Sequence, residues 1–137
     1  MERSGAAKTV IDALRLAGVR IGLDDFGTGY ATLSQLLSFR LDKIKIDRSF
    51  VSHLHDSTDC RVIVRAIIGL AEGPGLTTTA EGVECERQLV YLVSNGCTEG
   101  QGYLFSGPVP ATSIPALLSR EASRGPVTED GARDPRA

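Results

Sequence analysis

The sequence predicts an α/β fold of parallel strands joined by crossover helices, about four strand–helix units long. Three observations carry this expectation. Apolar residues recur at helical spacing in some segments and gather in short β-prone runs in others. The two kinds of segment take turns along the chain. The residues with the most chemistry fall late in the strands, where parallel α/β folds bind ligands.

The elements follow in order. Residues 4–17 place Ala7, Val10, Ile11, Leu14 and Ala17 at helical spacing, and Gly18 stops that helix. Residues 19–23 (VRIGL) form a short strand, 30–39 a helix and 43–46 (KIKI) a second strand. An amphipathic helix over 57–73 ends at Gly73-Pro74-Gly75. Residues 76–80 (LTTTA) make the third strand, 84–95 the next helix and 100–105 (GQGYLF) the fourth strand. A last helix is expected from about Ser113 to Ala122. Residues 1–120 therefore read as one domain, and 121–137, polar and rich in Gly and Pro, as a disordered tail. Four such units build either a small open sheet or half of a closed (β/α) barrel, because a whole barrel takes ~250 residues.

Composition narrows the functional classes. The chain has 137 residues, is 42% hydrophobic and carries a net charge of −2, so it has neither the basic stripe of a nucleic-acid binder nor an apolar run long enough to span a membrane. Its first residues lack the apolar stretch of a secretion signal. Cys60, Cys85 and Cys97 are odd in number and widely spaced, which fits a reducing cytoplasm better than a disulfide framework.

Strand alternation sorts the charges. In the second strand Ile44 and Ile46 share one face while Lys43, Lys45 and Asp47 share the other. With the isoleucines packed on helices, Lys45 points to the centre of the sheet or barrel and needs carboxylate neighbours or a phosphate. The candidates are Asp24, Asp25, Glu81 and Glu84, with the Gln101 amide on the fourth strand. Carboxylates converging in this way suit a hard cation such as Mg²⁺ or Mn²⁺, and two such ions can activate water against a phosphodiester. Plainer roles stand beside this one: Asp24-Asp25 as turn and cap residues, Lys45 paired with Asp47, and Glu81 and Glu84 as first-turn partners of a helix dipole. Repetition at the ends of consecutive strands weighs against the plainer set.

The stretches DDFGTGYATL, DKIKIDRSFV, TTTAEGVE and GCTEGQGYLFSGPVPA together closely resemble the EAL domain, a bacterial phosphodiesterase that hydrolyses cyclic di-GMP to linear pGpG. The resemblance covers residues 7–111 and implies the C-terminal half of a TIM-like (β/α) barrel. It implies Asp24 and Asp25 as metal ligands for Mg²⁺ or Mn²⁺, Lys45 and Glu81 as catalytic residues acting on water, and Glu84 and Gln101 as their support. Phe26, Gly27, Thr28 and Gly29 resemble the loop that couples the metal site to dimerisation. Against this, no Glu-Ala-Leu strand is present, nor the further asparagine and glutamate ligands of the family's first half. Two expectations compete: a phosphodiesterase half that needs a complementary half-barrel or self-association, and a non-catalytic module that binds a protein partner or nucleotide. His53-Leu54-His55 falls outside the match and reads as a solvated loop, and Cys85 and Cys97 as small, partly buried thiols.

Overall fold

The computed structural model describes residues 2–29 and 33–122. Helix α1 (Glu2–Leu16) leads to strand β1 (Gly22–Phe26), α2 (Leu33–Ser38) and β2 (Lys43–Ile46). Next come α3 (Arg48–Ser52), α4 (Thr58–Glu72), β3 (Thr77–Glu81), α5 (Glu86–Ser94) and β4 (Glu99–Gln101). A 3₁₀ turn (Ala111–Ser113) opens α6 (Ile114–Ala122). The four strands are parallel and lie in chain order, β1-β2-β3-β4. Consecutive neighbours linked by helices are the order in which a (β/α) barrel is wound. The expected tail lies outside the described residues beyond Ala122, as do Tyr30, Ala31 and Thr32 of the expected second helix.

The core forms on the helix side of the sheet. Ile44, Ile46 and Ala80 are fully buried there beneath Val51 of α3, Val64, Ile67 and Ile68 of α4, and Leu89 and Leu92 of α5. Ser57 caps α4, its hydroxyl accepting from the Cys60 amide at 3.2 Å. The opposite face of β2 and β3 is polar: Lys43 pairs with Glu99, and the Thr79 hydroxyl donates to the same Glu99 carboxylate at 2.8 Å.

Several elements differ from expectation for identifiable reasons. The first strand runs three residues further than 19–23, so Asp24 and Asp25 sit inside it rather than after it. The segment after β2 turns at once into α3, because Asp47 is an N-cap whose carboxylate accepts from the Ser49 amide at 2.8 Å. Asp47 is thereby withdrawn from Lys45, and the expected Lys45–Asp47 pairing gives way to others described below. The fourth strand is only three residues long, since Gly102 leaves the ladder and Tyr103 and Phe105 lie in a turn. A Cβ at Gly102 would come within 2.8 Å of the Val83 carbonyl carbon, so only glycine lets the chain turn there.

Two members of the apolar stripe expected of α1 are uncovered, Val10 at 59% and Leu14 at 42% exposed, and Leu16 beside the stripe is 91% exposed. Polar contacts tie α1 down, with Arg15 reaching Asp42 at 2.7 Å while the same carboxylate accepts from the Ile21 amide at 2.7 Å.

Candidate metal centre

The two aspartates owe their placement to a bulge. Leu23 faces Ile44 and Phe26 faces Ile46 across the β1–β2 ladder, so Asp24 and Asp25 together oppose the single residue Lys45. In a regular strand neighbouring side chains point to opposite faces. Here Asp25 takes a left-handed backbone (φ 52°), a conformation Asp tolerates better than most residues, and both carboxylates reach the same place. Oxygens of Asp24, Asp25 and Glu81 lie within 4.8 Å of one another.

Lys45 rises from β2 between them. Its ammonium pairs with Glu81 at the end of β3 and with Asp24 at 3.2 Å. The bond from Glu81 is the main reason its pKa is raised, so Lys45 is a cation at neutral pH and cannot take a proton from water. For Asp25 it is the charged form that is disfavoured: the charge of Asp24 beside it, then partial desolvation, Asp47 and Glu81, raise its pKa.

The electrostatics follow from the inventory. Three carboxylates face one ammonium, and Asp47 adds a fourth carboxylate beside Asp25, so negative charge is in excess within a few ångströms. Hard oxygen donors with that excess fit a divalent cation such as Mg²⁺ or Mn²⁺. Without one, the ionised form of Asp25 costs stability, because its folded pKa is above the unfolded value. That cost is present at neutral pH and disappears as the pH falls through the raised pKa. Asp25→Asn, which removes the charge and keeps a side chain suited to φ 52°, is therefore expected to raise the unfolding temperature in chelator. A lower temperature in a thermal melt would show that the carboxylate makes stabilising bonds instead.

The turn that follows is shaped for close approach. Phe26 is buried, Gly27 packs its Cα against Phe50, and Thr28 closes the turn with its amide and hydroxyl on the Asp25 carbonyl at 3.2 and 2.8 Å. A Cβ on Gly27 would meet the Phe50 ring at 2.9 Å, and its φ of 97° already favours glycine. Gly29 completes the turn at φ 96°.

Glu84 and Gln101 sit apart from the three-carboxylate cluster. Glu84 pairs with Arg48 at 3.1 Å. Together with Glu81, Gln101 and Tyr103 these two line a cleft of about 280 Å³ that opens beside the cluster. Gln101 reaches it from β4, where its carbonyl accepts from the Val83 amide at 3.0 Å.

Two contributors were not foreseen from the sequence. Arg48 holds Glu84 at the cleft mouth, and its position depends on α3, a helix the sequence reading did not include. Gln88 is a buried amide on α5 whose Oε1 accepts from the Glu84 and Cys85 amides at 2.8 and 3.2 Å, while its Nε2 donates to the Val51 carbonyl at 3.2 Å. It clamps the turn carrying Glu81–Glu84 onto α3. The spacing of a glutamine three residues into the helix after a small polar N-cap was its only signal.

A parallel α/β sheet with a bulged Asp-Asp pair, a lysine and a glutamate gathered on its polar face defines a half-barrel with an acidic corner. The chain belongs to the EAL domain family, which matches residues 1–108. It is 40% identical over 124 residues to the Escherichia coli cyclic di-GMP phosphodiesterase PdeR, covering 90% of this chain and 19% of that protein. It superimposes on the EAL domain of Mycobacterium smegmatis DcpA with a TM-score of 0.81 and 42% identity, over 88% of this chain and 54% of that one. It is also similar to Klebsiella pneumoniae BlrP1, solved with manganese and cyclic di-GMP (TM-score 0.68, 43% identity, 73% of this chain and 25% of that one). The 137 residues thus span about half of a solved EAL domain and about a fifth of PdeR. The fold is the expected TIM-like half, and no described helix is long and apolar enough to cross a membrane.

Proposed function

We propose that this segment supplies the C-terminal half of the site of a metal-dependent phosphodiesterase that opens cyclic di-GMP to linear pGpG in the cytoplasm. The observation that carries the reading is the bulge that turns Asp24 and Asp25 toward Glu81, around Lys45. Asp24, Asp25 and Glu81 would hold Mg²⁺ or Mn²⁺, which when bound acidifies a water and neutralises a phosphodiester oxygen. Lys45, held protonated by Glu81, orients that water and offsets charge on the substrate, and proton removal falls to a carboxylate such as Glu81. Arg48 offers a guanidinium, and Gln101 an amide, to the substrate from the cleft. Phe26–Gly29 links the cluster to a dimer partner. The three cysteines are free, in keeping with a reducing compartment.

Manganese titration of the 137-residue chain, followed by electron paramagnetic resonance, tests the ligand set. Binding should weaken by at least ~10-fold with Asp24→Asn and with Glu81→Ala, because each removes one of three charged donors. Equal binding by all three proteins would place the ion elsewhere.

A non-catalytic partner-binding module is the second reading. One observation favours it: Glu81 is already engaged by Lys45, and Asp47, the carboxylate hydrogen-bonded to Asp25, is already engaged by the Ser49 amide. In either case we propose that the chain does not stay a monomer. Among the described residues the outer strands β1 and β4 each have one unpaired edge, and Val10, Leu14, Leu16, Leu33, Leu37 and Leu118 are exposed on α1, α2 and α6. The uncovered side of the sheet is polar rather than apolar, so these helices, more than the sheet face, call for a partner surface. Light scattering should show mass rising with concentration, or a complex with a complementary half-barrel. A monomer at every concentration tested would refute this.

A further inference from the structure

The His-Leu-His stretch and Cys85 take no part in the metal cluster, yet the fold brings them together. His55 lies on the connection between α3 and α4, and Cys85 is the N-cap residue of α5. Nε2 of His55 stands 3.3 Å from Sγ of Cys85. In the tautomer that leaves Nε2 bare, the thiol donates to the ring. His53 is turned away to Asp56, at 3.3 Å. The other thiols are placed differently. Cys97 donates to the Thr78 and Glu99 carbonyls at 3.7 and 3.4 Å, and burial pushes its pKa up. Cys60 lies in the first turn of α4.

An open cleft of about 500 Å³ adjoins the pair, lined by His55, Arg61, Glu86, Arg87 and Tyr91 among others. Arg61 is committed to the framework, donating to the Leu54 carbonyl at 3.1 Å and to the Thr58 hydroxyl at 3.0 Å. Arg87 has no hydrogen bond or ion pair among the described residues, so its guanidinium is available to a carboxylate. A base and an uncommitted cation thus border one cleft, and the nucleophile stands 3.3 Å from the base.

We propose that Cys85 and His55 form a thiol–imidazole pair that takes up a small anionic disulfide, of the kind an acidic thiol peptide forms when oxidised, as a mixed disulfide. His55 Nε2 accepts the thiol proton, and the Cys85 sulfur attacks one sulfur of the disulfide. A new S–S bond forms at Cys85 as the reagent's own S–S bond breaks. The released thiolate takes the proton back from His55. Cys85 is oxidised and half of the reagent leaves reduced, so no further oxidant is required. Arg87, which borders the cleft, holds a carboxylate of the incoming molecule. The adduct would load the Glu84–Cys85 turn that Gln88 clamps, although the modification itself does not depend on the catalytic reading.

The experiment follows native 137-residue chain in oxidised glutathione by mass spectrometry, with peptide mapping of the three cysteines. Cys85 should gain the glutathionyl mass first. His55→Asn should slow it about 10-fold, within a ceiling of ~30-fold, because a free thiol of pKa ~8.5 is already a few per cent thiolate at pH 7. His53→Asn should leave the rate unchanged. Arg87→Ala should slow oxidised glutathione several-fold but not uncharged hydroxyethyl disulfide. In urea the three thiols should react alike. Faster labelling of Cys60 or Cys97, or a Cys85 rate within twofold of wild type in His55→Asn, overturns the pair. An unchanged ratio between the two disulfides in Arg87→Ala overturns the preference for an anion.

Discussion

The purified 137-residue chain is expected to release pGpG from cyclic di-GMP no faster than a protein-free control, with either Mg²⁺ or Mn²⁺. The cluster offers three carboxylates, and two-metal hydrolysis needs both ions held in place on the substrate. The family resemblance assigns an asparagine and further glutamates to the same ions from strands outside this sequence. Water can fill their coordination positions but cannot fix the geometry, and misplacement of about 1 Å already costs ~10²-fold in rate. Adding a polypeptide that carries the first half of an EAL domain should restore turnover. That activity should fall by ~10²-fold or more with Asp24→Asn, Lys45→Ala or Glu81→Ala. Lys45→Ala is the most telling, because it removes the one ammonium bonded to the cluster among the described residues while leaving the three carboxylates. Robust pGpG release by the chain alone would overturn the incomplete-site reading. Turnover in the mixture that survives Lys45→Ala would remove the lysine from the mechanism.

That Asp24, Asp25, Lys45 and Glu81 gather at one end of the sheet was legible in the sequence, but the geometry that gathers them was not. Alternation separated Ile44 and Ile46 from Lys45, and the structure keeps that separation: the isoleucines under helices, the lysine among carboxylates. Parallel pairing followed from the alternation of elements. The bulge did not, since two residues opposing one is a property of the ladder between strands and leaves no mark in a single segment. Asp47 shows the same limit. Its parity placed it on the face of Lys45, yet a cap bond to the Ser49 amide satisfied it locally and began a helix. Glu84 was grouped with Glu81 by proximity in sequence, and a glycine turn separates them so that Glu84 faces Arg48. Periodicity shows which face a residue takes; bulges, caps and turns are decided by hydrogen bonds with partners elsewhere in the chain.

The one-sided core sets the second large effect. Ile46→Ala is expected to destabilise the chain by about 2–5 kcal/mol, whereas Leu16→Ala should change stability by less than about 0.5 kcal/mol. Ile46 is fully buried in β2, paired with Phe26 on one side and Ala80 on the other, and helices cover its side chain. Truncation there removes three carbons from a close-packed layer whose backbone is held by two ladders, so the cavity cannot collapse easily. Leu16, at the end of α1, is 91% exposed and has little apolar contact to lose. Since small domains are stable by only about 5–15 kcal/mol, the first change should displace the urea midpoint strongly and leave the slope alone. The same pair of variants measured with a complementary half-barrel should differ less, because Leu16 then acquires a surface to bury against. A loss of ~2 kcal/mol from Leu16→Ala in the chain alone, under conditions where it is monomeric, would mean that α1 packs into the core, and the open-faced half-barrel described above would have to be abandoned.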